Sequence, residues 1–295
     1  MAHGKKALCF VVCILSVWRA SAGEGVTPRD FVTQDLLTHL ANDPVLDWNR
    51  IASLSFPLAM RVRRGEWDAD RRPLSTVARL LKNVEIESLS CSDTINAALT
   101  TGFLADAGVT TAPQEIQSRL AHCQDDSSPF ETVNTLLFRC RYEDRIAKDA
   151  QGIRTAVARI GALQQTDGSF TFPSLTFLET YYFTSHVLIA LYACGMSSMA
   201  VWRVQECLQK TLSLFRQAGF LDGLAESLIF LAWTTASPST WKAHVAFLRA
   251  RVQSDGGICF VDRPHCLSHW HTTALLTEIE SLERSLYKYV PEFVP

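Results

Sequence analysis

Two copies of one short segment, each followed by a strongly apolar stretch, constrain the fold of this chain more than any other feature. The first copy is Gln165-Thr-Asp-Gly-Ser-Phe170, and the second is Gln253-Ser-Asp-Gly-Gly-Ile258, 88 residues further on. Each copy follows an amphipathic helical pattern and precedes, after a short loop, a helix that is apolar on almost every side. A spacing of 88 residues is twice the length of a helical-hairpin repeat of about 44 residues.

The rest of the chain beyond the N-terminus also has the pattern of helices, because apolar residues recur at intervals of three and four. Strong apolar helices are predicted at residues 183–195, 222–235 and 271–282, and weaker copies at 92–108 and 129–141. More polar helices separate them, so outer and inner helices alternate in units of about 40 to 55 residues. We predict an all-α fold, arranged as an α/α toroid that is either closed or incomplete, or as a curved solenoid.

The first 22 residues have the pattern of a secretory signal peptide. Two lysines precede an apolar run at residues 7–18, which is too short to cross a bilayer about 30 Å thick as a helix. The small residues at 20–22 then match a cleavage site. An uncleaved N-terminal anchor helix is the alternative, which Arg19 keeps open. No other stretch predicts a membrane span, so we expect a mature chain that starts near Gly23 and lies in the secretory lumen or outside the cell.

Composition is that of a globular protein with a sizeable core. The chain is 47 % apolar and 20 % charged with a net charge of −2, which excludes disorder and gives no nucleic-acid-binding footprint. We expect an N-terminal helical segment, residues 23–88, to pack as one unit with a repeat domain, residues 89–295. Seven of the nine cysteines lie beyond the signal peptide, and they include no C-x-x-C, so we expect one to three disulfides plus a free or metal-bound thiol.

Polar or ionisable residues stand near the start of every apolar helix that we place. They are Asp93-Thr94, Glu131-Thr132, Ser185-His186, Glu226-Ser227 and His271-Thr272. Inner helices of a toroid start at one central cavity, so two histidines and three carboxylates are predicted to converge there, an arrangement suited to metal binding or paired acid–base chemistry. The alternative is that each carboxylate is a simple helix cap and each histidine a satisfied core residue.

Four residues with side chains that bind metals fall within seven positions just before the last apolar helix. They are His265, Cys266, His269 and His271. Zinc takes nitrogen and sulfur ligands at spacings of this order. We therefore name His271, His269, His186 and Cys266 as candidate zinc ligands. The alternatives are that Cys266 is disulfide-bonded and that His265 is a surface loop residue. Aromatic residues at the same end are candidates to line an apolar cavity: Phe170, Phe172, Phe177, Tyr181, Tyr182, Trp233 and Trp270.

The pattern Q-x-D-G-[SG]-[FI] followed by an apolar helix resembles the repeat of the terpenoid-cyclase and protein-prenyltransferase superfamily of α/α toroids, over residues 90–285. Residues 255–264 followed by Trp270-His271-Thr272 look like the pattern of the prenyltransferase β-subunit, in which the histidine binds zinc. The resemblance implies that zinc-ligand role for His271. The Asp-rich motif of class II cyclases is not intact, because residues 90–94 keep only its last Asp and Thr.

From the residues and the resemblance together, we predict a secretory-pathway enzyme that acts on a small apolar or prenyl- or terpenoid-type substrate in a central cavity. The reaction class is a lyase, isomerase or transferase, and zinc is the expected cofactor. The catalytic candidates are His186, His271, Glu226, Glu131 and Asp93. The alternative is a non-catalytic secreted module that binds an apolar ligand or a protein partner. A glycan-processing α/α barrel is a third hypothesis that rests on architecture alone.

Overall fold

The computed structural model describes residues 25–43, 45–66, 71–109, 114–123, 150–193, 201–234 and 241–289. Within these ranges the regular structure consists of eleven α-helices and one short 3₁₀ helix, Ile86–Ser88, with isolated β-bridges and no strand. The expectation of an all-α fold is confirmed. The predicted signal peptide, residues 1–22, and the weaker helix copy at 129–141 lie outside the described residues. The boundary between residues 88 and 89 stays a prediction.

The helices are numbered in chain order. Those of the N-terminal half are α1 (Pro28–Asn42), α2 (Trp48–Arg63), α3 (Arg71–Leu81), α4 (Cys91–Asp106) and α5 (Gln114–His122). Those of the C-terminal half are α6 (Ala150–Gly161), α7 (Phe177–Ala193), α8 (Val201–Ala218), α9 (Leu221–Thr234), α10 (Lys242–Arg249) and α11 (Trp270–Tyr289). Among the described residues, none of these helices has the length and apolar character that a bilayer crossing requires.

Side-chain caps start three helices of the N-terminal half, α1, α2 and α4. The Thr27 hydroxyl accepts from the Asp30 backbone N–H, and the Asp30 carboxylate accepts from the Thr27 backbone N–H, which forms a capping box before α1. Asp47 caps α2 in the same way through the Arg50 backbone N–H. Such a cap stabilises a helix by about 0.5–2 kcal/mol, so these boundaries follow from local sequence.

Five helices pack side by side in an inner series. Helix α7 packs against α9, α9 against α11, α11 against α2, and α2 against α4. The amphipathic helices cover them: α1 lies on α11 and α2, α8 on α9, α10 on α9 and α11, and α5 on α4. Helix α11, the last of the described helices, thus contacts α2 near the start of the described residues. For α7 and α9 this placement follows from their strongly apolar sequences, because a helix without a polar face is stable only between others.

Two hydrophobic clusters form the interior. One joins α1 to α5 and includes Trp48 and Leu54; the other joins α8 to α11 and includes Phe215 and Trp241. Phe56 of α2 packs against both clusters, with its ring centroid 5.2 Å from that of Phe103 and 6.0 Å from that of Trp233. The interior is therefore continuous between the two halves of the chain.

The two Q-x-D-G segments form the same turn. The Gln165 backbone N–H donates to the Ser169 carbonyl at 2.7 Å, and the Gln253 N–H donates to the Gly257 carbonyl at 2.8 Å. Their central glycines have φ values of 89° and 84°, which is a conformation that a side chain disfavours. In each copy the last residue of the motif donates its backbone N–H to a threonine hydroxyl on the next apolar helix, Thr184 at 2.9 Å and Thr273 at 3.0 Å.

Candidate active site

A buried polar cluster joins α7, α9 and α11. Asp222 and Glu226 stand one turn apart on α9, with side chains 0 % and 1 % exposed. His186 of α7 and His271 of α11 lie against them and remain 22 % and 24 % exposed. Buried carboxylates are costly unless other groups pair with them, so the contacts of these two side chains decide what the cluster can do.

Asp222 is bonded by side chains from the two neighbouring helices. Its Oδ1 atom accepts from the His271 Nδ1–H at 3.0 Å and from the Thr272 hydroxyl at 2.6 Å. Its Oδ2 atom accepts from the Tyr182 hydroxyl at 2.7 Å. Three donors from α7 and α11 therefore satisfy one carboxylate of α9, and the carboxylate holds the His271 ring in one orientation.

Glu226 forms a second carboxylate–imidazole pair one turn further along α9. Its Oε2 atom lies 3.0 Å from His186 Nδ1 and 2.7 Å from the Ser185 hydroxyl. His186 Nδ1 also lies 3.1 Å from the Tyr182 carbonyl oxygen, so its N–H points to two acceptors. Each histidine of the cluster thus directs Nδ1 to a carboxylate, an arrangement in which proton transfer to another molecule would use Nε2.

The charges of the cluster favour ion pairs. Burial lowers the pKa of His271, but the charge and hydrogen bond of Asp222, helped by Glu226, outweigh it and raise the pKa to about 9. Burial raises the pKa of Asp222, but His271 and the Thr272 and Tyr182 hydroxyls outweigh that effect and lower the pKa to about 2. Burial also lowers the pKa of His186, and Glu226 overcomes it, so that pKa is raised. At neutral pH His271 is therefore an imidazolium beside an ionised Asp222.

Tyr182 is held protonated. Burial, followed by the charges of Glu226 and Asp222, raises the pKa of its hydroxyl far above the ordinary value. The Tyr182 hydroxyl therefore acts as a hydrogen-bond donor to Asp222 and not as a base.

Aromatic rings border the cluster in an unbroken series of contacts. The Tyr182 ring centroid lies 5.0 Å from that of Phe220, which lies 5.2 Å from that of Phe260, and Phe260 lies 4.9 Å from the His269 ring. The Trp270 ring lies 5.7 Å from that of His271. These edge-to-face and tilted contacts give the ionisable groups an apolar border on the side of the loop before α11.

His269 caps the start of α11 and is therefore engaged within the fold. Its Nδ1 atom lies 3.1 Å from the Thr272 hydroxyl and 3.4 Å from the Thr272 backbone nitrogen, which is the position of a helix cap. Burial lowers the pKa of His269. The charge of Asp222 opposes this effect, but the charges of His271 and Arg50 add to it, so the pKa stays below its ordinary value. A neutral ring can accept from the helix start, so His269 works as a cap although histidine is a poor capping residue.

Cys266 is not available as a zinc ligand, because it forms a disulfide with Cys259. A second disulfide joins Cys91 and Cys123, so the expectation of disulfides is confirmed and the assignment of Cys266 to metal is corrected. The reason is that the loop after the second Q-x-D-G turn folds back on itself and brings the two sulfur atoms together. His265, in the same loop, is exposed and has a φ of 58°.

Of the other two carboxylate candidates, Asp93 does not join the cluster. Asp93 belongs to the cap of α4: its carboxylate accepts from the Ser90 hydroxyl at 2.6 Å, and its backbone N–H donates to Ser90 Oγ at 3.1 Å. The capping alternative therefore holds for Asp93. Glu131 lies outside the described residues. Of the predicted catalytic residues, the structure brings together His186, His271 and Glu226.

The two histidines do not occupy equivalent repeat positions, contrary to what the sequence pattern predicts. Thr184 and Thr273 make the same hydrogen bond to their respective turns, and each also donates to the carbonyl four residues earlier. This register pairs His271 with Tyr182, and the second copy has one more residue between the end of its motif and the equivalent threonine. Asp222 therefore accepts hydrogen bonds from two residues at equivalent repeat positions, Tyr182 on α7 and His271 on α11.

Sequence reasoning missed the role of Asp222 and treated Tyr182 only as an aromatic lining residue. The signal for Asp222 was present: an acidic residue in the first turn of a very apolar helix, four positions before Glu226 and therefore on the same face. Asp222, Glu226 and His271 each offer one ligand atom, and these three atoms lie within 4.8 Å of one another. These residues, rather than Cys266 and His269, form the group that a metal ion would fit.

Comparison with known proteins adds no relative. No protein-family model matches the chain, no curated protein matches it, and no solved structure matches it. A functional conclusion has to rest on the chemistry of the cluster.

Proposed function

We propose that this chain is an acid–base enzyme for a small apolar substrate, with the Asp222–His271 and Glu226–His186 pairs as its reaction centre. The observation that carries the proposal is the convergence of these four side chains from three helices. A helix cap bonds the backbone of its own helix, whereas Asp222 and Glu226 accept from side chains of α7 and α11. The alternative of separate caps does not account for that arrangement.

In this proposal His271 donates the proton and Asp222 is a positioning residue. Asp222 holds the imidazole through Nδ1 and stabilises its charged form, as in other carboxylate–imidazole pairs. His186, held by Glu226, supplies the second proton-transfer group. Two such groups at one site would let the enzyme remove a proton at one atom of a substrate and return it at another, which is the chemistry of an isomerase or a lyase.

The charges of the site favour a neutral substrate with an oxygen function. Among the described residues, the side chains bonded to Asp222 and Glu226 are Tyr, Ser, Thr and His, and none is Lys or Arg. The imidazolium of His271 is already paired with Asp222, so it offers a phosphate-bearing substrate no unpaired positive charge. An imidazolium with a pKa of about 9 is also too weak an acid to protonate an alkene, but it suits a carbonyl, hydroxyl or epoxide oxygen. The aromatic border suits the apolar remainder of such a molecule.

We further propose an α/α toroid of the terpenoid-cyclase and prenyltransferase type, secreted after removal of the signal peptide. Two identical Q-x-D-G turns, the layering of apolar under amphipathic helices, and the contact of α11 with α2 support this architecture. The two disulfides support an oxidising compartment, since such bonds are rare in the cytosol.

Zinc is the second candidate, favoured by the grouping of Asp222, Glu226 and His271. Two carboxylates and one imidazole form an accepted zinc ligand set, and a bound ion would polarise a substrate oxygen in place of the imidazolium. Elemental analysis of protein purified without chelators decides between the two. One zinc per chain that is lost in Glu226→Gln supports the metal, whereas absence of zinc from an active protein supports acid–base chemistry alone.

The proposal is tested by proton exchange in D₂O with farnesal, farnesol and 10,11-epoxyfarnesol as probes and farnesyl diphosphate as the anionic comparator. We expect deuterium incorporation or isomerisation of a neutral probe, detected by mass spectrometry. The His271→Gln variant should lose about 100- to 10,000-fold in rate, the usual contribution of one general acid or base. His122→Gln, which changes an exposed histidine of α5, is the matched control and should retain full activity.

Two results contradict the proposal. If a probe binds with a measurable Kd but neither exchanges nor reacts, the chain is the binding module of the alternative prediction. If His271→Gln turns over a probe as fast as the wild type, the carboxylate–imidazole pair is not the reaction centre.

A further inference from the structure

The loop closed by the Cys259–Cys266 disulfide contacts both helices that carry the Asp222–His271 pair. On one side the Phe260 carbonyl accepts from the Leu221 and Asp222 backbone N–H groups at 3.1 and 3.2 Å. The Asp262 N–H also donates to the Gly219 carbonyl at 2.7 Å. The loop thus supplies acceptors and a donor to the start of α9, where Asp222 lies.

On its other side the same loop holds the start of α11. The His269 N–H donates to the Ile258 carbonyl at 2.8 Å, and Cys259 forms a β-bridge with Ser268. The Ile258 N–H donates to the Thr273 hydroxyl at 3.0 Å. These contacts lie within two residues of His271 in both directions, so the path of residues 258–269 sets where the imidazole stands relative to α9.

The loop is held in a conformation that it would not adopt alone. His265 has a φ of 58°, and it is the only residue other than glycine with a positive φ among the described residues. Such a conformation persists only where the surrounding structure imposes it. Cys266 follows directly, and the disulfide ties it across the loop to Cys259, which is buried.

We propose that the Cys259–Cys266 disulfide is a positioning element of the active site, and that its reduction separates Asp222 from His271 and switches the site off. The part on activity rests on the proposed acid–base function, whereas the part on positioning does not. When the bond opens, the backbone at His265 returns to a more favourable conformation. The loop then no longer holds the starts of α9 and α11 in fixed positions relative to each other. A catalytic pair that moves by about 1 Å loses on the order of 100-fold in rate.

The reductant required is a dithiol of the thioredoxin class. Its thiolate attacks Cys266 Sγ, because Cys266 is half-buried whereas Cys259 is buried. The S–S bond breaks, the Cys259 thiolate leaves and takes a proton from water, and a mixed disulfide forms on Cys266. The second thiol of the reductant then attacks the reductant's sulfur atom in the mixed disulfide. This step forms the reductant's own disulfide and releases Cys266 as a thiolate, which takes up a proton. Two electrons pass to the protein and the dithiol is oxidised.

The test compares Cys259→Ser/Cys266→Ser with Cys91→Ser/Cys123→Ser, a matched control that removes the other disulfide found among the described residues. The readout is the Nδ1–H resonance of His271 in ¹H–¹⁵N spectra at pH 7, which reports the hydrogen bond to Asp222 without any substrate. We expect this resonance to shift or broaden in the first variant and to remain in the control. Deuterium exchange with the reactive probe should fall about 10- to 100-fold in the first variant only.

A second measurement covers the case in which the first variant does not fold. Dithiothreitol is titrated into the folded Cys91→Ser/Cys123→Ser protein, and the His271 resonance should change in step with the appearance of the Cys259 and Cys266 thiols. An unchanged resonance after full reduction overturns the proposal. If the resonance changes but even the wild type never turns over a probe, the proposed function fails while the positioning role stands.

Discussion

A single buried carboxylate organises the candidate site at the scale of residues. Asp222 accepts from His271, Thr272 and Tyr182, and none of these donors belongs to its own helix. Because the carboxylate is fully buried, its charge persists only through these partners. The imidazolium of His271 is the partner that balances the charge, so the protonation states of the two residues depend on each other.

This dependence predicts how His271 titrates. A histidine whose pKa is raised in the folded state stabilises the fold fully below its unfolded pKa near 6.5, and the contribution is lost as pH rises through about 9. We expect the NMR titration of His271 to have its midpoint near pH 9, and the free energy of unfolding to fall between pH 6.5 and pH 9 on account of this group.

In Asp222→Asn the attracting charge is absent while burial remains, so the pKa of His271 should fall toward or below its ordinary value. A His271 midpoint near 6.5 in the wild type would contradict the ion pair.

At the scale of elements, the two Q-x-D-G turns differ in what packs on them. In the second copy the backbone of the N-terminal segment lies against the turn: a Cβ atom added to Gly256 would come within 2.4 Å of the Thr27 carbonyl oxygen. A Cβ atom on Gly257 would come within 2.3 Å of Ser268 Cβ. The first copy has Ser169 at the position of Gly257. The second glycine of the second copy is thus explained by close packing rather than by the turn itself.

Substitution of the turn glycine should therefore cost more than backbone strain alone. Gly65 has a φ of 71° and nothing within 4 Å of an added Cβ atom, so Gly65→Ala should destabilise the protein by about 1–2 kcal/mol, the cost of the left-handed conformation. Gly256→Ala adds a collision with the Thr27 backbone and should cost clearly more. Urea unfolding of both variants measures the difference. Equal costs would show that the N-terminal segment does not pack on the turn.

At the scale of the whole molecule, a buried ion pair joins the end of α2 to α11. Arg64 donates two hydrogen bonds of 2.7 Å to Glu278, whose side chain is fully buried, and a third to Ser281. Burial of Glu278 raises the pKa of its carboxyl, which Arg64 opposes. This pair lies on the helix that also carries His271, so it ties the N-terminal half of the chain to the helix of the site.

Arg64→Met should destabilise the protein by about 3–5 kcal/mol, because it leaves Glu278 buried without its countercharge. Arg79 of α3 is the matched control: it is exposed and its guanidinium contacts the Thr76 hydroxyl of its own helix at 3.4 Å, so Arg79→Met should cost less than about 1 kcal/mol. Thermal unfolding of the two variants provides the measurement. Similar Tm values for both would mean that the contact between α2 and α11 contributes little to stability.

The sequence by itself determined the features that depend on near neighbours along the chain. Helical periodicity predicted the helix layers, the Q-x-D-G segments predicted the two like turns, and the helix starts pointed to His186, Glu226 and His271. These are local effects, since periodicity, capping and turn conformation act within a few residues.

Only the tertiary structure decided that Asp222 is the centre of the cluster, that Cys266 pairs with Cys259, and that His271 is equivalent to Tyr182. One extra residue in a loop changes the register, and the packing of α7, α9 and α11 selects which side chains meet, because residues distant along the chain are brought together only by burial of the shared core.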